Sequence, residues 1–205
     1  MKRLYAFLFA LGCAAPAAAQ EGDFGARLSA AAIERTHHHV VYDPSYVAIA
    51  YPGGDVAADR GVCADVVIRA LRTVGVDLQK LVHEDMKTHF SAYPAFWGLS
   101  SPDANIDHRR VPNLEAYLRR AGAALPVTST ASDYHAGDIV AWNLRGELGY
   151  LAHIGVVTDQ AGPSGAPLVV HNIGAGPQLE DVLFSWPMTG HYRIESLQSA
   201  TTHSR

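Results

Sequence analysis

The sequence predicts an α+β domain in which helices come first and a small antiparallel sheet follows. Up to about residue 121, apolar side chains recur at the three- and four-residue spacing of amphipathic helices. After residue 137 they gather instead in short β-branched runs that turn residues separate. The chain has 205 residues, of which 48% are hydrophobic and 18% are charged, so it is long enough to bury the core of one such domain.

The N-terminal segment has the pattern of a signal peptide. A basic start and an apolar run, Lys2–Leu11, precede the small residues Ala17–Ala19 of a cleavage site. We therefore predict that residues 1–19 are removed on export and that residues 20–205 form one periplasmic or secreted domain. Lipid attachment through Cys13 is the weaker alternative, because the residues before this cysteine form a poor lipidation motif.

Four helices are predicted from the apolar periodicity. The second opens at Cys63 and stops near Gly75, since glycine commonly ends helices. Three consecutive histidines, His37–His39, end the first helix and point in three directions, which favours a solvated helix end over a metal site. The predicted helices cover residues 24–39, 63–74, 78–89 and 112–121.

Extended structure is predicted before Cys63 and again in the last third of the chain. Residues 40–51 are extended in character and end in a Pro-Gly-Gly turn. The glycine- and proline-rich residues 159–166 predict a hairpin turn between two of the later strands. The predicted sheet strands cover residues 139–142, 151–158, 167–172 and 191–194.

Cys63 is the candidate nucleophile. At the start of a helix, unpaired N–H groups and the helix dipole favour a thiolate and lower a cysteine pKa from about 8.5 into the range of roughly 3.5–7.5. The chain has two cysteines, so cleavage of the signal peptide leaves Cys63 alone in an oxidising compartment, where an idle thiol is a liability. The alternative is that Cys63 is simply a small buried hydrophobe.

Two histidines interrupt the predicted hairpin. A turn centred on Gly162 would place His153 directly opposite His171, with Cβ atoms roughly 4.5–5.5 Å apart. A nucleophilic cysteine needs a neighbouring base, which predicts His153 as the partner of Cys63 and His171 as the residue that orients the His153 ring. Asn172 has the opposite strand parity and is the less favoured orienting residue.

A long polar segment, Asp103–Asn113, precedes the fourth helix. Loops of this length are often functional, and Arg109 and Arg110 could hold a substrate carboxylate. The competing interpretation, which the sequence slightly favours, is a charged cluster that supports the loop through salt bridges. On the Cys63 helix, Asp65 and the residue four positions later, Arg69, are predicted to form a surface ion pair.

The order of these motifs resembles the NlpC-type cell-wall cysteine peptidases, which share a papain-like core. Three phrases, Tyr-Pro-Gly-Gly-Asp-Val, Asn-Ile-Asp-His-Arg-Arg-Val-Pro-Asn-Leu and Val-Val-His-Asn-Ile-Gly, more closely resemble the YijF-type bacterial family, to which no function is assigned. The positions that match the NlpC pattern are Tyr51, Gly53, Gly54, Cys63, Gly137, Asp138, His153, Gly155 and His171.

The resemblance implies a papain-like NlpC-type fold and a Cys-His-His mechanism acting on peptidoglycan peptides. It also implies that Tyr51 lies beside the nucleophile and that the Cys63 N–H helps to hold the oxyanion. The sequence departs from the NlpC pattern at Val62 and Ala64, which flank the cysteine where Asp and Ser are usual. The segment Asp103–Asn113 has no NlpC counterpart either, so the choice of substrate within the cell wall does not carry over.

The sequence therefore favours an exported thiol hydrolase that cleaves an amide bond in a cell-wall peptide. Two alternatives remain open: a non-catalytic cell-wall binding module on the same scaffold, and a protein that binds zinc through Cys63, His153 and His171.

Composition and motifs also bound the partners. A formal net charge of −4 predicts no nucleic-acid partner, and no apolar run is long enough for a transmembrane helix. We expect a monomer that needs no metal or other cofactor, since neither HExxH nor CxxC occurs.

Overall fold

The computed structural model describes residues 18–194, with side chains from residue 24 onwards. Most of the predicted signal peptide, including Cys13, lies outside the described residues. Within them no helix is both long enough and apolar enough to cross a membrane. The described chain has the predicted α+β architecture, with its helices packed on one face of an antiparallel sheet.

All four predicted helices are present in the described chain, and two begin at the predicted residue. The polar residue before the third helix caps it, because the Asp77 carboxylate accepts the N–H of Gln79 at 3.0 Å. After the second helix, Gly75 adopts a φ of 92°, which ends the helix as predicted. The helices are α1 (Ala18–Arg35), α2 (Cys63–Thr73), α3 (Leu78–His89) and α4 (Val111–Arg120).

A six-stranded antiparallel sheet forms the second half of the fold, in the order β3-β8-β4-β5-β6-β7. A separate parallel pair, β1 with β2, precedes α2. The sequence predicted four of these strands and missed the short ones. The strands are β1 (Val41–Tyr42), β2 (Arg60–Gly61), β3 (Ala124–Leu125), β4 (Ile139–Asn143), β5 (Ala152–Ala161), β6 (Pro167–His171), β7 (Gln178–Glu180) and β8 (Met188–Tyr192).

The sheet separates two apolar clusters. On the helical face, Ile154 and Val156 of β5 pack with α1, α2 and α4 in the larger cluster, which includes Cys63. On the opposite face, Trp142 and Val157 form a smaller cluster with Leu183 from the loop after β7. Successive residues of β5 thus alternate between the two clusters, as a strand that is covered on both faces requires.

Candidate active site around Cys63

Cys63 is placed by short strands and by the first turn of α2. The β1–β2 pair ends at Gly61, two residues before Cys63, so the chain enters the helix from a fixed direction. The Asp65 carboxylate accepts the N–H of Val62 at 2.6 Å, which satisfies a donor at the helix start. The Cys63 side chain is 4% exposed and packs within the larger apolar cluster.

Burial decides the ionisation of this thiol. It raises the pKa of Cys63 to about 11, although hydrogen bonds from the backbone of Ile154 and Ala64 pull the pKa down. The sequence predicted the opposite shift, because the helix start is visible in the sequence whereas the extent of desolvation is not. In this conformation Cys63 is a neutral thiol, and it lies against the backbone of Ile154, the residue that follows His153.

Tyr42 occupies the position beside the thiol that the resemblance implied for Tyr51. The pairing of Tyr42 with Gly61 brings its hydroxyl to Cys63. Burial raises the pKa of Tyr42 most. The charge of Cys63 and the hydrogen bond to it raise this pKa further, to about 12. Tyr51 is 41% exposed and packs its ring against His83 on α3, with ring centroids 4.9 Å apart. Only the β1–β2 pairing identifies Tyr42, and that pairing is not local in sequence.

The two predicted histidines lie together on the sheet. His153 Nε2 is 2.8 Å from His171 Nδ1, and the ring planes are nearly perpendicular, at 83°. Both side chains are buried, on the face of the sheet that carries Trp142, whose ring stacks on His153 at 5.7 Å. The hydrogen bond uses Nε2 of His153, which leaves Nδ1 as the ring nitrogen for a second partner.

The predicted register of the hairpin is wrong by two residues. The turn is centred near Ser164 instead of Gly162, because Ala161 pairs with Pro167, and the bulge after Val157 brings Val156 opposite Val170. His171 therefore lies opposite Gly155, and His153 is its diagonal neighbour. A Cβ on Gly155 would come within 3.2 Å of the His171 Cβ. The missing side chain at Gly155 therefore leaves the space in which the two rings meet.

Burial also keeps the two imidazoles neutral. It lowers the pKa of His153 to about 3, with a smaller contribution from His171 in the same direction. It lowers the pKa of His171 as well, although Glu180 opposes the shift. The described conformation therefore holds a neutral thiol and neutral histidines, not the thiolate–imidazolium pair that the sequence predicted.

Glu180 is a member of this cluster that the sequence did not reveal. Its Oε2 lies 2.7 Å from His171 Nε2, and the glutamate side chain is 45% exposed. The contact does not have the direction of a hydrogen bond, so it is a close electrostatic contact. The pairing of Glu180 with Val169 places it on the same face as His171. Because β7 is only three residues long, no periodicity marks it in the sequence.

The predicted zinc set is not assembled in the described chain. His153 Nε2 and His171 Nδ1 are 2.8 Å apart because they share a hydrogen bond. Two histidines that bind one tetrahedral zinc ion, each at about 2.0 Å from the metal, hold their ligating nitrogens farther apart than this and do not hydrogen-bond to each other. No group of three or more His, Cys, Asp or Glu residues in the described part of the chain is arranged to hold a metal ion.

Arg109 is a buried structural residue. It donates two hydrogen bonds of 2.9 Å to the Asp65 carboxylate and one of 3.3 Å to the carbonyl oxygen of Ser45. The predicted surface pair of Asp65 with Arg69 is therefore wrong, since Arg69 binds Asp55 at 2.8 Å. Through Arg109 the segment Asp103–Asn113 is fastened to the first turn of α2, and this ion pair leaves the Arg109 guanidinium little freedom to bind a substrate carboxylate.

Arg110 points to a different part of the molecule. Its guanidinium lies 4.1 Å from the centre of the Trp97 ring and 3.0 Å from the Asp107 carboxylate. It lines a cavity of about 120 Å³ together with Phe90 and Tyr93 at the end of α3. The structure thus separates the roles of the two arginines, which the sequence treated as one candidate pair.

Comparison with known proteins agrees with the YijF-type resemblance. Residues 29–194 match the family described as "Domain of unknown function (DUF1287)". A relative from Escherichia coli (strain K12), named "Uncharacterized protein YijF", is 62% identical over 152 residues, which cover 74% of this chain and 73% of the relative. On both grounds the chain belongs to the DUF1287 family.

Proposed function

We propose that this protein is an exported cysteine hydrolase with an NlpC-like, papain-like core that cleaves an amide bond in peptidoglycan peptides. The observation that carries the proposal is the 2.8 Å hydrogen bond between two buried imidazoles, His153 and His171, on a sheet whose other face packs against Cys63, the free cysteine of the described residues, at a helix start. Paired buried imidazoles serve packing poorly, because each ring nitrogen needs a polar partner.

The proposed reaction uses the free ring nitrogen of His153. Nδ1 takes the proton of the Cys63 thiol, and the thiolate attacks the amide carbonyl while the Cys63 N–H donates to the developing oxyanion. His153 then gives the proton to the leaving amine, and the C–N bond breaks to form a thioester. A water molecule, deprotonated by His153, releases the carboxylate product and restores the thiol.

The buried resting state sets a condition on this mechanism. Cys63 lies on the helical face of the sheet and His153 on the opposite face, and both are nearly inaccessible and neutral. The reaction therefore requires a rearrangement on substrate binding that brings the thiol to Nδ1 and exposes it to the carbonyl. Catalytic hydrogen bonds are often poorly formed in free enzymes and tighten only in the substrate complex.

The same burial favours a second candidate, a non-catalytic module that binds cell-wall peptides. A thiol whose pKa is raised to about 11 is a poor nucleophile at neutral pH. A protein that had lost its activity would retain the packed side chains of the former active site but would not hydrolyse peptides.

Incubation of residues 20–205 with soluble peptides from purified peptidoglycan, followed by mass spectrometry, tests both candidates. A hydrolase generates fragments that differ from the substrate by one water across an amide bond, and Cys63→Ser abolishes them. A binding module retains peptides equally in the wild type and in Cys63→Ser and produces no fragments. Fragments that persist in Cys63→Ser would exclude the thiol mechanism.

A further inference from the structure

We propose that Glu180 is a positioning residue that fixes which nitrogen carries the proton in both His171 and His153. This inference rests on the proposed function for its catalytic meaning, but the proton positions themselves can be observed without any substrate. Glu180 reaches neither the thiol nor, in this proposal, the substrate, and acts only through the two rings.

The first step concerns the Glu180–His171 contact. Glu180 Oε2 lies 2.7 Å from His171 Nε2, and a glutamate carboxylate is an acceptor only. A carboxylate oxygen at that distance from a bare ring lone pair would be repelled, even though the contact is not aligned as a hydrogen bond. The contact therefore favours the His171 tautomer whose proton is on Nε2.

The second step follows from the single proton of a neutral imidazole. If His171 carries its proton on Nε2, then its Nδ1 is an acceptor. The 2.8 Å bond between His171 Nδ1 and His153 Nε2 must then be donated by His153. Burial keeps both rings neutral, so each has only this one proton to place.

The third step concerns the nitrogen of His153 that serves as the base in the proposed reaction. With its proton on Nε2, His153 has a bare Nδ1, which can accept the Cys63 proton once substrate binding brings the thiol to it. With its proton on Nδ1 instead, His153 could not act as that base. Glu180 thus selects the tautomer that the proposed reaction needs. It lies on β7, two residues after Gln178, the residue that pairs with His171.

Three substitutions at Glu180 separate this role from simple packing. Glu180→Gln keeps an oxygen that can face Nε2–H, so we expect only a few-fold loss of kcat. Glu180→Ala removes the bias, and we expect a loss of about 10-fold. Glu180→Lys presents an N–H donor that favours the inverted tautomers, and we expect a loss of about 100-fold or more. Glu34→Lys, the same charge change at an exposed residue of α1, is the matched control and should leave kcat unchanged.

Nitrogen-15 NMR of the histidine rings in the full exported chain decides the inference directly. We expect protonated Nε2 and bare Nδ1 in both His171 and His153 of the wild type, and inversion or mixing of these tautomers in Glu180→Lys but not in Glu34→Lys. A proton on His171 Nδ1 in the wild type, or tautomers that are unchanged in Glu180→Ala and Glu180→Lys, would overturn the inference.

The two readouts keep the two proposals apart. If the wild type hydrolyses no peptide, the proposed function fails, and the NMR result still decides whether Glu180 sets the tautomers. If the wild type is active and the tautomers respond to Glu180 while kcat does not, Glu180 positions the protons without serving catalysis, and the inference fails in its catalytic part.

Discussion

Two buried histidines on the same face of the sheet each lie 2.7 Å from a carboxylate, yet their surroundings differ. His191 on β8 contacts Asp138, and its other ring nitrogen lies 3.1 Å from the carbonyl oxygen of Pro126. His171 on β6 contacts Glu180, and its other ring nitrogen bonds to a second histidine. One arrangement closes on the backbone, whereas the other continues to a second buried imidazole, His153.

The two carboxylates, Asp138 and Glu180, also differ in their burial and in their partners. Asp138 is fully buried and binds Arg193 as well as His191. Burial alone would raise the pKa of Asp138, but the hydrogen bonds from His191 and Arg193 outweigh it and lower the pKa. Glu180 is half-exposed and contacts only the edge of the histidine pair. The partner of the second ring nitrogen, more than burial, thus distinguishes a stabilising histidine from a candidate for proton transfer.

The largest expected effect is on turnover. His153→Ala removes the proposed base, and we expect peptide hydrolysis to fall by about 10³-fold or more at 15 °C. His191→Ala, the matched variant in the closed network, should retain the turnover of the wild type per folded molecule under the same conditions. Equal losses in the two variants would remove the distinction between the two histidine sites.

The next largest effect is on stability, and here the larger loss is expected at the His191 site and the smaller loss at the His171 site. Asp138→Asn breaks a buried charge network, so we expect the free energy of unfolding in urea to fall by about 3 kcal/mol. Glu180→Gln changes a half-exposed carboxylate, and we expect a loss below about 1 kcal/mol. A Glu180→Gln variant that unfolds as easily as Asp138→Asn would show that both carboxylates are structural.

Acid should reveal the buried His153 as a dependence of stability on pH. The pKa of His153 is lowered to about 3 in the folded chain, against about 6.5 in an unfolded chain. Between these values the unfolded state binds more protons, so the free energy of unfolding falls as the pH falls, by up to about 1.4 kcal/mol per pH unit from this residue. Urea titrations from pH 7 to pH 4 should show this slope, and His153→Phe should flatten it. An unchanged slope in His153→Phe would mean that the ring is not held neutral by burial.

The sequence predicted most of what depends on neighbours along the chain. Helices α2 and α3 were predicted closely, because an amphipathic stripe and the stop at Gly75 are local signals. The proximity of His153 and His171 also followed from the hairpin turn, although the turn is centred near Ser164 and not at Gly162, which shifts the register.

What the sequence missed depends on pairings between distant segments. Tyr42 reaches the thiol only because β1 pairs with β2, and Glu180 reaches His171 only because β7 pairs with β6. The pKa of Cys63 was predicted in the wrong direction for the same reason, since the packing that desolvates the thiol comes from β5 and from the other helices. Local signals identified the chemical groups, and long-range packing set their properties.

The smallest expected effect concerns the thiol itself, which packs on the other face of the sheet from the histidine pair. The Tyr42 hydroxyl hydrogen-bonds Cys63, so Tyr42→Phe should raise the thiol pKa by up to about one unit, because one hydrogen bond contributes about 1 kcal/mol. The rate of alkylation of Cys63 between pH 8 and pH 11 measures this, and we expect it to fall several-fold below the pKa.

Tyr51→Phe is the matched control, because the Tyr51 ring packs against His83 and should leave alkylation unchanged. If Tyr51→Phe slowed alkylation and Tyr42→Phe did not, the tyrosine implied by the NlpC resemblance would be the one beside the thiol after all. The thiol would then have a different tyrosine neighbour from the one described, and the proton transfer proposed between Cys63 and His153 would have to be tested again with that neighbour.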